Sequence, residues 1–152
     1  MLRQITALIT TAILSALLII PASAQSTNHI IYDDSLAVWT NWSWNSTTKF
    51  DATIKPYSGT HHISWKPNSA WAGFYLHKDG GVSTAPYTHL KFALESTQTG
   101  DALSVLAYDS AGSALGSQVL LTNYGGDPVV GSYKIYSIPL ADLNAANKQM
   151  YG

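Results

Sequence analysis

The chain has no cysteine, and its only arginine is Arg3. Without cysteine no disulfide can brace the fold, so stability must come from packing or from a bound ion. Every other strong cation is a lysine, and the formal net charge is −1. That balance excludes the guanidinium forks and basic patch expected of phosphate or nucleic-acid recognition. No basic amphipathic helix marks a membrane surface. Glutamate occurs once, at Glu95, and nothing marks the pair of carboxylates that glycoside hydrolysis requires. A Gly-x-Ser-x-Gly elbow, a catalytic cysteine and a phosphate loop are also missing. Tryptophan, by contrast, is concentrated. Trp39, Trp42, Trp44, Trp65 and Trp71 all lie between positions 39 and 71, and no other position holds one.

The first two dozen residues read as a leader. Met1-Leu2-Arg3-Gln4 is a short basic start, and Ile5–Ile20 is apolar and uncharged. Pro21-Ala22-Ser23-Ala24 supplies the small-x-small pattern of a signal-peptidase site. An uncleaved anchor is the alternative, but the run is shorter than the roughly 20 residues a membrane span prefers. The expectation is a signal peptide over 1–24, a chain cut after Ala24, and an extracellular product with no remaining membrane insertion. Residues 25–152 then suffice for a single domain with its own core.

That domain reads as all-β. Short alternating runs separated by Gly, Pro, Asn, Asp and Ser clusters predict an antiparallel sandwich or barrel. Expected strands are Ile30–Asp33, Thr48–Thr53, Thr60–Lys66, Ala72–His77, His89–Glu95, Ala102–Tyr108, Gln118–Leu121 and Tyr133–Ile138. A weak helix is expected over Leu140–Asn147. Leu90, Phe92 and Leu94 share one face and Leu103, Val105 and Ala107 another, which marks core. Leu106 and Tyr108 are apolar on the opposite side, as if that strand were covered twice.

Trp71-Ala72-Gly73-Phe74-Tyr75-Leu76-His77 carries the most information about function. In a strand, Ala72, Phe74 and Leu76 face the core while Trp71, Gly73, Tyr75 and His77 face away. The second set either packs beneath a loop or sheet, or forms a flat platform for sugar rings with His77 bonding a hydroxyl. Sugar C–H patches suit aromatic faces, and polar donors fix orientation. Trp42 and Trp44 share an i, i+2 spacing, so both rings face the same way in a strand. Trp39 has no such argument and reads as core. Five rings are too many to bury in so short a stretch, so at least one of Trp42, Trp44, Trp65 and Trp71 is expected to be exposed. His61 and His62 are adjacent and point to opposite faces, so they do not chelate, although His61 can share a face with Trp65. Asp33 and Asp34 form either a solvated turn or part of an all-oxygen calcium site. Two glycosylation sequons, at Asn41 and Asn45, fall among the tryptophans.

Five segments together resemble a known family. They are Ile31-Tyr32-Asp33-Asp34, Trp42-Ser43-Trp44, Tyr57-Ser58-Gly59-Thr60-His61-His62-Ile63-Ser64, Trp71–Leu76 and Tyr133–Leu143. The chain resembles the galactose-binding-like jelly rolls used as non-catalytic carbohydrate-binding modules in secreted bacterial polysaccharide-degrading proteins. The resemblance implies a two-sheet jelly roll, a polysaccharide or glycan ligand and often a structural calcium between early and late residues. It also implies a last strand bearing an aspartate pair. No such segment follows the expected helix, which suggests the N-terminal part of a longer protein. The combined expectation is a monomeric, non-catalytic sugar binder using Trp71, Tyr75, His77, Trp42, Trp44, Trp65 and His61. Two alternatives remain: part of a glycoside hydrolase with catalytic residues beyond Gly152, or a structural or adhesive module without a sugar ligand.

Overall fold

A computed structural model of the protein describes residues 28–100 and 102–152. The expected leader over 1–24 lies outside the described residues. Within them the chain is all-β, with no α-helix. Its strands pair in five antiparallel ladders of two strands each. Two ladders are long. Strand β2 (Ser46–Ala52) pairs with β3 (His62–Pro67), and β6 (His89–Leu94) pairs with β9 (Lys134–Pro139). Three are short: β1 (Thr40–Asn41) with β4 (Leu76–His77), β5 (Val82–Ser83) with β10 (Gln149–Met150), and β7 (Ser104–Val105) with β8 (Val119–Leu120). A single 3-10 turn over Leu121–Tyr124 follows β8.

The core is built on β9. Tyr136 and Ile138 are fully buried while Ile135 and Ser137, which alternate with them, are exposed, which is the period-two pattern of a half-buried strand. Opposite them in register stand Phe92 and Leu90 of β6. Phe92 stacks on Tyr136 with ring centres 5.5 Å apart, and the Tyr136 hydroxyl donates to the Gly126 carbonyl at 2.9 Å. Ala107, Leu121, Leu140, Leu143 and Ala145 complete the buried cluster, with Leu94, Leu103 and Val105 packed against it. Full burial of a Leu or Ile side chain is worth about 1.5–3 kcal/mol, so Ile138, Leu140 and Leu143 anchor this end of the molecule.

Two sequence expectations are corrected. Ile30–Asp33 is not a strand: Ala37 donates back to Ile31, Tyr32 bridges Leu36, and Asp34 sits at φ 56°. The segment is a tight loop closed on itself. Leu140–Asn147 is not a helix but a run of turns, because Asn144 and Asn147 both take left-handed φ, at 52° and 56°. Asparagine tolerates that region better than most residues. A short strand, β10, follows these turns.

Strand β10 is clamped on both sides. Thr84 N donates to Lys148 O and Lys78 N to Tyr151 O, each at 2.9 Å. On the other side Tyr108 N donates to Gly152 O and Tyr151 N to Tyr108 O, each at 2.8 Å. The Thr84 side chain, 1 % exposed, fixes the entry to this strand. Its hydroxyl donates toward the Ala145 and Lys148 carbonyls and accepts from Lys148 N at 3.0 Å. Thr84→Val keeps the shape and strands those partners, which costs about 1–3 kcal/mol. Urea unfolding should show a lower midpoint with an unchanged slope; a midpoint equal to wild type would contradict this role.

Candidate functional site

The β1 and β4 segments continue to pair beyond their regular strands. Trp42 N donates to Tyr75 O at 2.9 Å, Trp44 N to Gly73 O at 3.0 Å, and Gly73 N to Trp44 O at 3.1 Å. Between these bonds Tyr75 N finds the Ser43 hydroxyl at 3.0 Å instead of a backbone carbonyl. That substitution interrupts the ladder and explains why the expected strand 72–77 is regular only at Leu76–His77. The register places Thr40 opposite His77 and Trp44 opposite Gly73. Trp42 therefore stands opposite Tyr75, and alternation brings Trp42, Trp44, Tyr75 and His77 to one face.

These rings are packed against one another. The Trp42 indole stacks on the His77 imidazole, with centroids 3.8 Å apart and planes 9° from parallel. Tyr75 presents an inclined ring to Trp42 at 6.2 Å, to Trp44 at 6.3 Å and to Tyr108 at 5.1 Å. The Trp44 indole lies over Gly73: a Cβ there would stand 2.2 Å from its ring atoms. Its Nε1 donates to the Trp71 carbonyl at 2.7 Å. Glycine at position 73 is required by this close approach, not by its dihedral angles.

Trp42, Trp44, Tyr75, Tyr108 and Gly112 enclose an open cleft of about 350 Å³. Trp42 and Trp44 remain 54 % and 46 % exposed, so their ring surfaces are available to a ligand. His77, only 9 % exposed, supports Trp42 from behind and bonds Asp79 Oδ1 through Nε2 at 3.2 Å. Burial, with further contributions from Tyr108 and Asp109, pushes the Tyr75 phenol above its ordinary value near 10. Tyr75 therefore stays a neutral hydroxyl at physiological pH. Asp109 shapes the cleft rim: its Oδ1 accepts from Ala111 N and Ser113 N, each at 2.9 Å, which fixes the turn carrying Gly112.

The other expected site residues lie elsewhere. Trp71 is 87 % exposed and contributes its carbonyl to Trp44, but its ring does not line the cleft. Trp65, Trp71 and His61 border a broader groove of about 2290 Å³ that Trp44, Tyr75 and Tyr108 also line. Trp65 pairs with Thr48 across β2 and β3, and its Nε1 is buried without a partner. Trp39 is 6 % exposed and donates to His29 Nε2 at 3.3 Å. Tyr108 and Gly112 were missed from sequence. The signal for Tyr108 was present in its apolar side opposite Leu103, Val105 and Ala107; Gly112 offers none.

Asp34 does not fit a calcium site. Its carboxylate accepts from Thr60 N, Thr60 Oγ1 and His61 N at 2.8 to 3.0 Å. These amides hold its carboxyl below the ordinary value near 3.8. Gly59, at φ 66°, passes so close to the carboxylate that a Cβ would collide with it. Oxygens committed to N–H and O–H donors are poor cation ligands, and Asp33 is an exposed neighbour. Among the described residues no group of three or more His, Asp or Glu side chains gathers.

No protein-family model matches the chain, and no curated protein matches it. No helix among the described residues is long and apolar enough to cross a membrane.

The close approach of Trp44 to Gly73 gives a direct test of the packing. Gly73→Ala must displace the indole, with an overpacking cost of about 1–3 kcal/mol. Tryptophan emission should shift to longer wavelength and acrylamide quenching should rise. An unchanged spectrum together with unchanged stability would contradict the arrangement.

Proposed function

We propose that this chain is a secreted, non-catalytic β-sandwich of the two-sheet jelly-roll type that binds polysaccharide or oligosaccharide. The ligand occupies the cleft of Trp42, Trp44, Tyr75 and Tyr108. One observation carries this reading: four aromatic side chains from three chain segments converge on a single open cleft. Half-exposed indoles at its mouth offer apolar faces to sugar C–H groups, and the Tyr75 and Tyr108 hydroxyls offer polar contacts. The stack of Trp42 on His77 fixes one indole before any ligand arrives, which lowers the ordering cost of binding.

A binding role also agrees with the disposition of the carboxylates. Glu95 is paired with Lys55 at 3.1 Å, and Asp34 is committed to the turn at Thr60 and His61. Neither lines the cleft. The described antiparallel ladders suit a sandwich, and the segments of Trp42–Trp44 and Tyr75, though not that of Tyr108, are among those that resemble galactose-binding-like modules. Trp71, which strand parity also offers as a platform, takes the secondary role of anchoring Trp44 through its carbonyl.

Affinity gel electrophoresis against glucans, xylans, mannans and chitin derivatives tests the proposal. The folded protein should be retarded by at least one polymer, and Trp42→Ala should weaken that retardation about tenfold, equivalent to about 1.4 kcal/mol. Unchanged mobility of folded protein on every polymer would refute it.

A further inference from the structure

We infer that the cleft takes short, soluble stretches of a neutral glycan, one or two pyranose rings deep, and not the flat face of a crystalline polymer or an acidic glycan. This inference rests on the sugar-binding reading above and narrows its substrate class. Three independent features of the site carry it.

The first is shape. Tyr75 is inclined by 62° to Trp42, 64° to Trp44 and 69° to Tyr108. A crystalline polysaccharide face needs rings lying in one plane. Here the central ring stands across the other three, so the contact surface is concave. Trp71, 87 % exposed, does not line the cleft.

The second is size. About 350 Å³ is at the lower end of the roughly 300–1,000 Å³ typical of small-molecule sites. Such a volume accepts one or two sugar rings and leaves further residues of a chain in solvent.

The third is charge. None of Trp42, Trp44, Tyr75, Tyr108 and Gly112 is ionisable to a cation, and no lysine lines the cleft. Two carboxylates stand close by: Asp79 bonds His77 behind Trp42, and Asp109 acts on the Tyr75 phenol and anchors the Gly112 turn. The Lys78 ammonium beside Asp79 is turned to the Asp79 carbonyl at 3.3 Å. A uronate or sulfate entering this cleft would meet the Asp109 charge with no cation among the residues that line it. A neutral sugar meets only aromatic faces and phenol hydroxyls.

Titration of the whole protein with defined sugars, followed by calorimetry and tryptophan fluorescence, tests the inference. The probes are neutral cello-, xylo-, manno- and chito-oligosaccharides of one to six units, and oligogalacturonides of the same lengths. Depletion assays with crystalline cellulose and chitin run in parallel. At least one neutral series should bind, with affinity rising no more than about twofold beyond two or three units. Oligogalacturonides should bind at least tenfold more weakly, and the crystalline polymers should not deplete the protein. Tyr108→Ala should weaken neutral binding about tenfold, while Tyr57→Ala, an exposed ring outside the cleft, should change it less than twofold. Affinity that keeps climbing to six units, equal or tighter binding of oligogalacturonides, or capture by crystals alone would overturn the inference while leaving sugar binding intact. Absence of binding to every probe by folded protein would overturn both, and so separates the two failures.

Discussion

The register between residues 40–44 and 73–77 is the constraint on which the site depends. Three backbone bonds join Trp42 to Tyr75 and Trp44 to Gly73, and they determine which side chains meet. Strand geometry does the rest, because a slip of one residue would send every ring to the opposite face. In this register Trp42 reaches diagonally to His77, Trp44 covers Gly73, and Tyr75 stands between the two indoles. Glycines 73 and 152 are both needed for the arrangement: a Cβ would stand 2.2 Å from the Trp44 ring at the first and 2.2 Å from the Tyr75 ring at the second. The cleft is therefore a consequence of backbone pairing more than of any single aromatic residue.

The fourth ring is supplied from further along the chain and links the cleft to the core. Tyr108 exchanges backbone bonds with Tyr151 and Gly152, and the segment carrying those residues is clamped to Thr84 and Lys78. Ala107, the neighbour of Tyr108, is buried against Tyr136, Ile138 and Leu143. Packing at β9 thus reaches the cleft through one strand, with Ala107 facing the core and Tyr108 facing the ligand side. The Asp109 turn then places Gly112 at the rim. A site assembled this way is largely formed before a ligand binds, which favours orientation over adaptability.

Much of this was legible in the sequence wherever alternation was strong. The inward sets Leu90, Phe92, Leu94 and Leu103, Val105, Ala107 were readable because a half-buried strand writes its burial as a period of two. The grouping of Trp42 with Trp44, and of Tyr75 with His77, followed from the same parity. What parity cannot give is which strands meet. Strands β1, β5 and β10 have two residues each, too short for any pattern, and they exist because long-range partners hold them. For that reason Tyr108 was placed on the side opposite the core but not in the cleft, while Trp65 and His61 line the larger groove and not the cleft itself. The partners of Asp34 were illegible for a different reason: the amides that occupy it come from residues 60 and 61, distant in sequence.

The five indole N–H groups offer the most direct measurement of the central claim, that the paired segments 40–44 and 73–77 form the ligand surface. Each tryptophan gives one assignable indole signal in a proton–nitrogen correlation spectrum, and a neutral disaccharide or trisaccharide can be titrated against all five at once. The account predicts that the Trp42 and Trp44 signals shift in a saturable, concentration-dependent way. Trp39, bonded to His29, and Trp65, set in the β2–β3 ladder, should stay in place. Shifts confined to Trp39 or Trp65, or no indole shift at sugar concentrations that saturate binding, would contradict it.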